Sequence, residues 1–154
     1  MKEIPLSRGL SAKVDDEDFE YLSKFKWCAL VDGKLRYAQC SKRSGMRMHI
    51  AILGKKDGYE IDHIDGDGLN NQRSNLRHVT RRQNMQNMHS IKASKYPGVT
   101  FSKTIKRWKA TIRVGAKNKY LGYFVDELEA YQAYCKALAE IGETPLPLTN
   151  QRKE

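Results

Sequence analysis

Hydrophobic and polar positions divide the chain into three stretches with different periodicities. In the first, residues 1–47, apolar and polar residues alternate, as along 27–37, which is typical of half-buried β-strands. The Asp32-Gly33 pair between two such runs predicts a hairpin turn. Acidic residues at 15–18 open a short run with helical spacing, where carboxylates suit the positive end of a helix. We interpret this stretch as a β-rich scaffold.

The last stretch also begins with alternation and then changes to the helical period. Its predicted strands are Gly98–Lys103, Arg107–Val114 and Lys119–Val125, with a turn at 115–118 between the last two. Asp126 and Glu129 form a capping-box pattern, and Gly142 is a natural C-terminal cap. A helix over 127–141, with an apolar stripe packed on the sheet, is therefore expected.

The middle stretch is rich in His, Asp and Asn, which are poor core residues and good site residues. Tyr59–His63 and 75–79 are predicted as short strands, and the Asp-Gly-Asp-Gly run between them predicts a turn. Thr80 with Gln83 is a capping box, so a helix should begin near Arg81.

Together these patterns predict an α+β fold in three parts. Residues 1–47 form the scaffold, 48–91 a strand–loop–strand–helix core, and 92–154 a small domain of three-stranded antiparallel sheet packed on one helix. The polar segment 88–95 has no periodicity and is the expected linker.

Composition favours a cytoplasmic protein without a membrane partner. No apolar run approaches the roughly 20 residues that a membrane helix needs, and the N-terminus lacks the apolar core of a signal peptide. Cys28, Cys40 and Cys135 are far apart and odd in number, which favours free thiols in a reducing compartment.

Positive charge is concentrated near the C-terminus. The net charge is +10, and residues 92–125 contain nine Lys or Arg and no acidic residue. Such a one-signed stretch on a foldable segment indicates a polyanionic partner such as nucleic acid. A merely solvated basic surface is the alternative.

The chemistry is expected in the middle stretch, where strand, loop, strand and helix bring Asp62, His63, Asn75 and Asn84 together. Phosphodiester hydrolysis needs a base, and neutral imidazole is available near pH 7. A carboxylate and an amide oxygen make an all-oxygen site of the kind Mg²⁺ accepts. A polar turn without function is one alternative. A calcium loop of the EF-hand type is excluded because its twelfth position, counted from Asp65, is Leu76 rather than Glu.

Residues 47–90 resemble the HNH nuclease family, in particular its phage and intron-encoded homing endonuclease branch. The resemblance rests on the Asp62-His63 pair, an Asn twelve residues after His63 and an Asn twenty-one residues after it. It implies a ββα-metal core in which Asp62 and Asn84 hold one divalent ion, His63 is the general base and Asn75 orients it. Mg²⁺ is the expected ion, with Mn²⁺ as the alternative.

Two further features bear on this resemblance. Paired CxxC motifs that hold a structural zinc in many HNH enzymes are missing here, so no structural zinc is expected. His49 lies where this branch often has a His before an apolar helix, and is a candidate for phosphate contact or site support. A capping or partly buried histidine is the alternative.

Residues 95–142 resemble the plant ethylene-response-factor type of DNA-binding domain, which also occurs beside HNH nucleases. The resemblance rests on Tyr-x-Gly-Val at 96–99, Trp-x-Ala-x-Ile-Arg at 108–113 and Tyr-Leu-Gly-x-Phe at 120–124. In that family the sheet lies in the major groove. The resemblance implies that Thr100, Ser102, Thr111, Arg113 and Tyr120 face the DNA, and strand alternation places Lys109 on the same face as Thr111 and Arg113. The candidate phosphate contacts are Lys103, Arg107 and Lys119.

The resulting hypothesis is a site-specific, metal-dependent DNA endonuclease of the homing type, a phosphodiester hydrolase acting on double-stranded DNA. A bacterial or phage-infected cell is its expected setting, and one small site per chain favours a monomer. One alternative is a catalytically silent DNA-binding regulator, against which the intact set of four site residues argues. Another is an HNH nuclease of low specificity that serves phage packaging or restriction.

Overall fold

The computed structural model describes residues 1–33, 35–41, 45–86 and 94–147. Over these ranges the chain is a mixed α/β protein whose strands pair into small antiparallel sheets. Its elements in chain order are β1 (Lys2–Pro5), β2 (Ser11–Val14), α1 (Asp16–Leu22), β3 (Trp27–Asp32), β4 (Leu35–Cys40), α2 (Met48–Leu53), β5 (Glu60–His63), β6 (Leu76–Val79), α3 (Arg81–Gln86), β7 (Val99–Ser102), β8 (Arg107–Val114), β9 (Lys117–Phe124) and α4 (Glu127–Glu140). In the described part of the chain, no helix is both long and apolar enough to cross a membrane.

The residues group into two compact units, Met1–Met88 and His89–Glu154, which we call unit 1 and unit 2. The predicted linker at 88–95 lies largely outside the described residues, which resume at Ser94.

The described residues of unit 1 form three antiparallel hairpins, β1–β2, β3–β4 and β5–β6, together with the helices α1, α2 and α3. Apolar side chains from the hairpins, α1 and α2 meet in a hydrophobic core, whose buried members are Ile4, Ala12, Val14, Leu22, Trp27, Ala38, Cys40, Met48, Ile52 and Leu76. Because this core draws on residues from both sides of position 47, the scaffold and the β5–β6 hairpin stabilise each other.

Polar contacts also fasten the scaffold to the loop between β5 and β6. The Arg73 guanidinium makes two hydrogen bonds to the buried Asp18 carboxylate, at 2.7 and 2.8 Å. Asp15 accepts hydrogen bonds from the Arg73 backbone N–H (2.7 Å) and from Gln72 Nε2 (3.1 Å). Asp15 and Asp18 therefore bind the C-terminal end of the β5–β6 loop, and they also lie at the start of α1.

Unit 2 is the three-stranded sheet β7–β8–β9 with α4 packed on one face. The predicted N-cap is confirmed, because Asp126 accepts hydrogen bonds from the backbone N–H of Leu128 (2.7 Å) and Glu129 (3.2 Å). The predicted four-residue turn at 115–118 is wrong: Val114 pairs with Lys117, so the turn is two residues long and β9 begins earlier. Two-residue turns suit the twist of an antiparallel hairpin.

Candidate functional site

The β5–β6 hairpin sets which side chains share a face. Asp62 lies opposite Arg77, and His63 lies opposite Leu76. Because successive side chains of a strand point to opposite faces, Glu60 and Asp62 leave β5 on one face and His63 leaves it on the other. Asp62 and His63 therefore lie on opposite faces of one strand end, while Asn75 lies at the end of the loop that follows and Asn84 lies on α3.

Helix α3 lies on the face that carries Glu60 and Asp62. The predicted capping box is confirmed: Thr80 N–H donates to Gln83 Oε1 (3.0 Å), and Gln83 N–H donates to Thr80 Oγ1 (3.3 Å). This start places Asn84 in the first turn, where its Nδ2 donates to Glu60 Oε2 at 2.6 Å. The amide of Asn84 is thus aimed at the strand that carries Asp62.

Asp62 is paired within the hairpin. The residue is 8% exposed, and Oδ2 accepts hydrogen bonds from Arg77 Nε (3.0 Å) and Nη2 (2.9 Å). A buried carboxylate needs such a partner, because an isolated charge in the interior is costly. Arg77 therefore fixes the direction in which the Asp62 oxygens point.

His63 lies on the opposite face, in a buried group of rings. Only 6% of the residue is exposed, and its ring lies 5.1 Å from that of His49 and 6.0 Å from that of Tyr37, between centroids. Nε2 of His63 is 3.4 Å from Oδ1 of Asn71. Burial lowers the pKa of His63, and the Asn71 contact and nearby carboxylates oppose this only in part. His63 is therefore neutral at neutral pH, as a general base must be.

His49, in the first turn of α2, is neutral for the same reason. Burial, with smaller electrostatic contributions from His63 and Arg47, lowers its pKa to about 3. The residue is 6% exposed and packs against Tyr37 and His63. The structure thus places the His49 ring beside the candidate base, where it covers one side of the His63 ring.

Asn75 holds the loop that follows His63. Its Oδ1 accepts from the Asp65 backbone N–H (3.1 Å), and its Nδ2 donates to Asp65 Oδ1 (2.9 Å) and to the Asn70 carbonyl (2.8 Å). Its own carbonyl accepts from the Ile64 N–H (2.9 Å). These contacts fix the backbone directly after His63, so Asn75 acts on the loop and through it on the imidazole.

The loop also approaches β4 closely at Gly68. A Cβ at this position would lie 2.2 Å from the Arg36 carbonyl oxygen and 2.6 Å from the Tyr37 ring. Any larger residue would push the loop away from β4. Glycine here keeps the loop against the ring that packs on His63.

Residues with direct contacts to the candidate site that the sequence patterns missed include Glu60, Asn71 and Arg77. Asn71 is completely buried, although an Asn-Asn pair after Gly-Leu is typical of an exposed turn. The pattern signals for Glu60 and Arg77 were weak, since alternating charged residues on a short strand indicate only a solvated face.

The donor set around Asp62 suits a hard divalent cation. Carboxylate oxygens of Glu60 and Asp62 share a strand face, and the Asn84 amide lies beside Glu60. Oxygen ligands of this kind are those that Mg²⁺ accepts, together with water. Over the described ranges, His, Cys, Asp and Glu side chains do not form a group of three or more arranged to hold a metal ion. An ion here would therefore rely on an amide oxygen and on solvent or substrate oxygens.

The outer face of the unit 2 sheet carries most of the candidate DNA-facing residues. Lys109, Thr111 and Arg113 alternate with Ala110 and Ile112, which are buried against α4. Register extends this surface: Thr100 lies opposite Lys109, Ser102 opposite Arg107, and Tyr120 opposite Thr111. We call this the outer sheet face; it comprises Thr100, Ser102, Arg107, Lys109, Thr111, Arg113, Tyr120 and Tyr123.

Aromatic rings interleave with the charges on this face. Tyr120 is 53% exposed, its ring lies 5.4 Å from that of Tyr123, and Lys109 Nζ lies 6.0 Å from its centre. Lys119 is placed differently, because it lies opposite Ile112 and its Nζ is 3.7 Å from Glu140 Oε2 on α4. Lys103 is exposed in the turn between β7 and β8. The outer sheet face is thus basic and aromatic, and Lys119 belongs to the helix side.

One segment of unit 1 is similar to a known protein family. Residues 53–86 match the family model described as HNH endonuclease. The matched segment contains β5, β6 and α3, and with them all four predicted site residues. The chain therefore carries a segment similar to HNH endonucleases, which indicates nuclease activity.

A phage protein is also similar to the chain. Protein 3.8 of Escherichia phage T7 is 39% identical over 62 residues, which cover 39% of this chain and 51% of that protein. The chain thus spans about half the length of this curated relative. No solved structure matches the chain.

Proposed function

We propose that this protein is a divalent-metal-dependent DNA endonuclease of the HNH type that cuts double-stranded DNA at specific sites, in the manner of homing endonucleases. The observation that carries the proposal is the arrangement at the end of β5. There a neutral, buried imidazole and an oxygen-rich donor set belong to adjacent residues, within the segment that matches the HNH endonuclease family.

In this proposal Asp62 and Asn84 hold the ion in a ββα-metal core formed by β5, β6 and α3. Glu60 is a further oxygen donor beside Asn84. When bound, the ion supplies Lewis-acid stabilisation of charge on the phosphate and the leaving oxygen. Mg²⁺ is the proposed ion because the donors are all oxygen atoms.

His63 accepts the proton of the attacking water. Its neutral state at neutral pH follows from its burial beside His49 and Tyr37. Asn75 keeps the following loop in place, and through it the backbone that carries the imidazole. Adjacent positions on one strand thus serve the ion and the base.

The outer sheet face of unit 2 is proposed to bind duplex DNA. Arg113 offers a planar guanidinium for base edges or phosphate, and Lys109 offers a positive charge beside Tyr120. Lys103 and Arg107 are proposed phosphate contacts at the end of this face. Lys119 is the weakest of these candidates because it is paired with Glu140 behind the sheet.

The nuclease proposal is tested by incubating the full chain with phage and bacterial genomic DNA, with Mg²⁺ or with EDTA, and mapping the ends. We expect cuts only with Mg²⁺, leaving 5′-phosphate and 3′-hydroxyl ends that recur at one sequence. Cuts spread evenly over the DNA would instead support an HNH nuclease of low specificity. DNA left intact at every divalent ion tested, including Mn²⁺, would contradict nuclease function.

The DNA-binding proposal is tested by titrating duplex DNA with Arg113→Ala and Lys109→Ala at several salt concentrations. Each variant should bind more weakly, and the slope of log K against log salt should fall by about one for each phosphate that the variant no longer neutralises. Lys136→Ala is the matched control, because it removes the same charge from an exposed position on α4. Equal effects in all three variants would show that only net charge matters.

A further inference from the structure

The side-chain oxygen of Asn71 approaches a ring nitrogen of the candidate base. This Oδ1 atom lies 3.4 Å from His63 Nε2, and both residues are buried. This separation is longer than the about 2.9 Å of a typical N–H···O bond. Long hydrogen bonds are common at catalytic groups before substrate binds, and they tighten in the complex.

The orientation of the Asn71 amide follows from its second contact. Nδ2 of Asn71 lies 3.4 Å from the Gly68 carbonyl oxygen, which can only accept a hydrogen bond. The nitrogen of the amide therefore faces Gly68, and the oxygen faces His63. An oxygen in this place accepts a hydrogen bond, so the hydrogen must lie on Nε2 of the imidazole.

The backbone around Asn71 is fixed by the scaffold. Asn71 N–H donates to the Lys13 carbonyl (2.8 Å), and Lys13 N–H donates to the Leu69 carbonyl (2.9 Å). These two bonds extend β2 alongside the loop. The position of the Asn71 amide is thus set by a strand of the N-terminal stretch, far from β5 in the sequence.

We propose that Asn71 is a positioning residue that holds His63 in the tautomer with hydrogen on Nε2, so that Nδ1 carries the lone pair that accepts the proton of water. A neutral imidazole has one donor and one acceptor nitrogen, so fixing the first determines the second. The inference deepens the proposed function, since it assigns the reacting atom of the proposed base.

The tautomer is measured directly by long-range ¹H–¹⁵N correlation spectra of the ¹⁵N-labelled full chain at neutral pH. Signals of His63 are identified by their absence in His63→Gln. In the wild type we expect hydrogen on Nε2 and none on Nδ1. Hydrogen on Nδ1 in the wild-type spectrum would by itself contradict the proposal, and no variant would need to be measured.

The role of Asn71 is tested by Asn71→Leu, which removes the amide oxygen at nearly constant volume. The matched control is Asn70→Leu, which makes the same substitution one residue away. Asn70 lies in the same loop, but its side chain contacts Asp65 (2.8 Å). We expect the His63 tautomer to become mixed or reversed in Asn71→Leu and to stay unchanged in Asn70→Leu. An unchanged tautomer in Asn71→Leu would contradict the assignment.

A conservative variant separates positioning from folding. Asn71→Asp keeps an oxygen opposite Nε2 and is expected to keep its hydrogen there, even if Asn71→Leu does not fold. Cleavage should fall more than about tenfold in kcat for Asn71→Leu, within the about 10²- to 10⁴-fold that a general base contributes, and recover in part in Asn71→Asp. DNA affinity should stay within about twofold in both variants, since Asn71 is buried. If the wild type does not cut DNA, the proposed function fails, while the spectra still decide the tautomer.

Discussion

Acid should destabilise unit 1 through His49, because this imidazole is buried where a positive charge is unfavourable. The residue is 6% exposed and is enclosed by the rings of Tyr37 and His63. Burial, with smaller electrostatic contributions from His63 and Arg47, lowers its pKa to about 3. In the unfolded chain the same side chain titrates near the ordinary value of about 6.5.

The magnitude follows from the difference between these two pKa values. Between pH 6.5 and 3 the unfolded chain binds a proton at His49 that the folded protein does not bind. The free energy of unfolding therefore falls as the pH falls, by about 1.4 kcal/mol per pH unit. From pH 7 to pH 5, His49 alone should cost about 2 kcal/mol of stability. Below the folded pKa this destabilisation levels off, because both states are then protonated.

The assay is urea denaturation followed by the fluorescence of Trp27, which is 4% exposed in the core of unit 1. A Trp108→Phe background removes the second tryptophan, which lies in unit 2, so that only unit 1 reports. The comparison is with His49→Gln in the same background. Titratable groups distant from His49 contribute equally to both proteins and cancel in the difference.

The wild type should lose about 2 kcal/mol more stability than His49→Gln between pH 7 and pH 5. Equal decreases in the two proteins would refute the reasoning. They would mean that the folded protein protonates His49 as easily as the unfolded chain does, and that the ring is accessible to water.

Three further predictions concern local contacts. Thr80→Ala should cost unit 1 about 1 kcal/mol by removing the cap of α3, whereas Thr80→Ser should cost little, both measured by Trp27 fluorescence in urea. Asp126→Ala should destabilise unit 2 by about 1 kcal/mol in the same assay with Trp108 as reporter, and Asp126→Asn should keep the cap. Gly98→Ala should destabilise unit 2 by more than about 2 kcal/mol, because the new Cβ would lie 2.2 Å from the Tyr134 ring. Gly115→Ala has a similarly positive φ but open space around it, so an equally large destabilisation in that variant would contradict the steric explanation.

Local rules were sufficient to predict the helices that flank both candidate surfaces. The Thr80–Gln83 capping box and the Asp126 N-cap were recognised from residue types at fixed spacing, and both are made as expected. β8 also has the predicted bounds, because alternation over eight residues is a strong signal. The two-residue turn before β9 was missed, since Lys117 and Asn118 are as typical of turns as of exposed strand ends.

Contacts between distant residues could not be predicted in this way. The pairing of Asp62 with Arg77 depends on strand register across a long loop, and a shift of one residue would have placed Arg77 on the other face. The burial of Asn71 depends on β2, which lies far away in the sequence. The His49–His63 contact likewise depends on how α2 packs on the β5–β6 hairpin. Short-range periodicity carries no information about such contacts.

The central claim is that the end of β5 carries metal-dependent cleavage of DNA, with His63 as the base. Its most direct test measures cleavage and DNA binding in parallel for the wild type and for His63→Ala, with Mg²⁺ present. The account predicts that His63→Ala folds, binds DNA with nearly wild-type affinity and cleaves at least about 10²-fold more slowly, as expected when a general base is removed. Wild-type cleavage rates in His63→Ala, or cleavage and binding reduced in the same proportion, would contradict it.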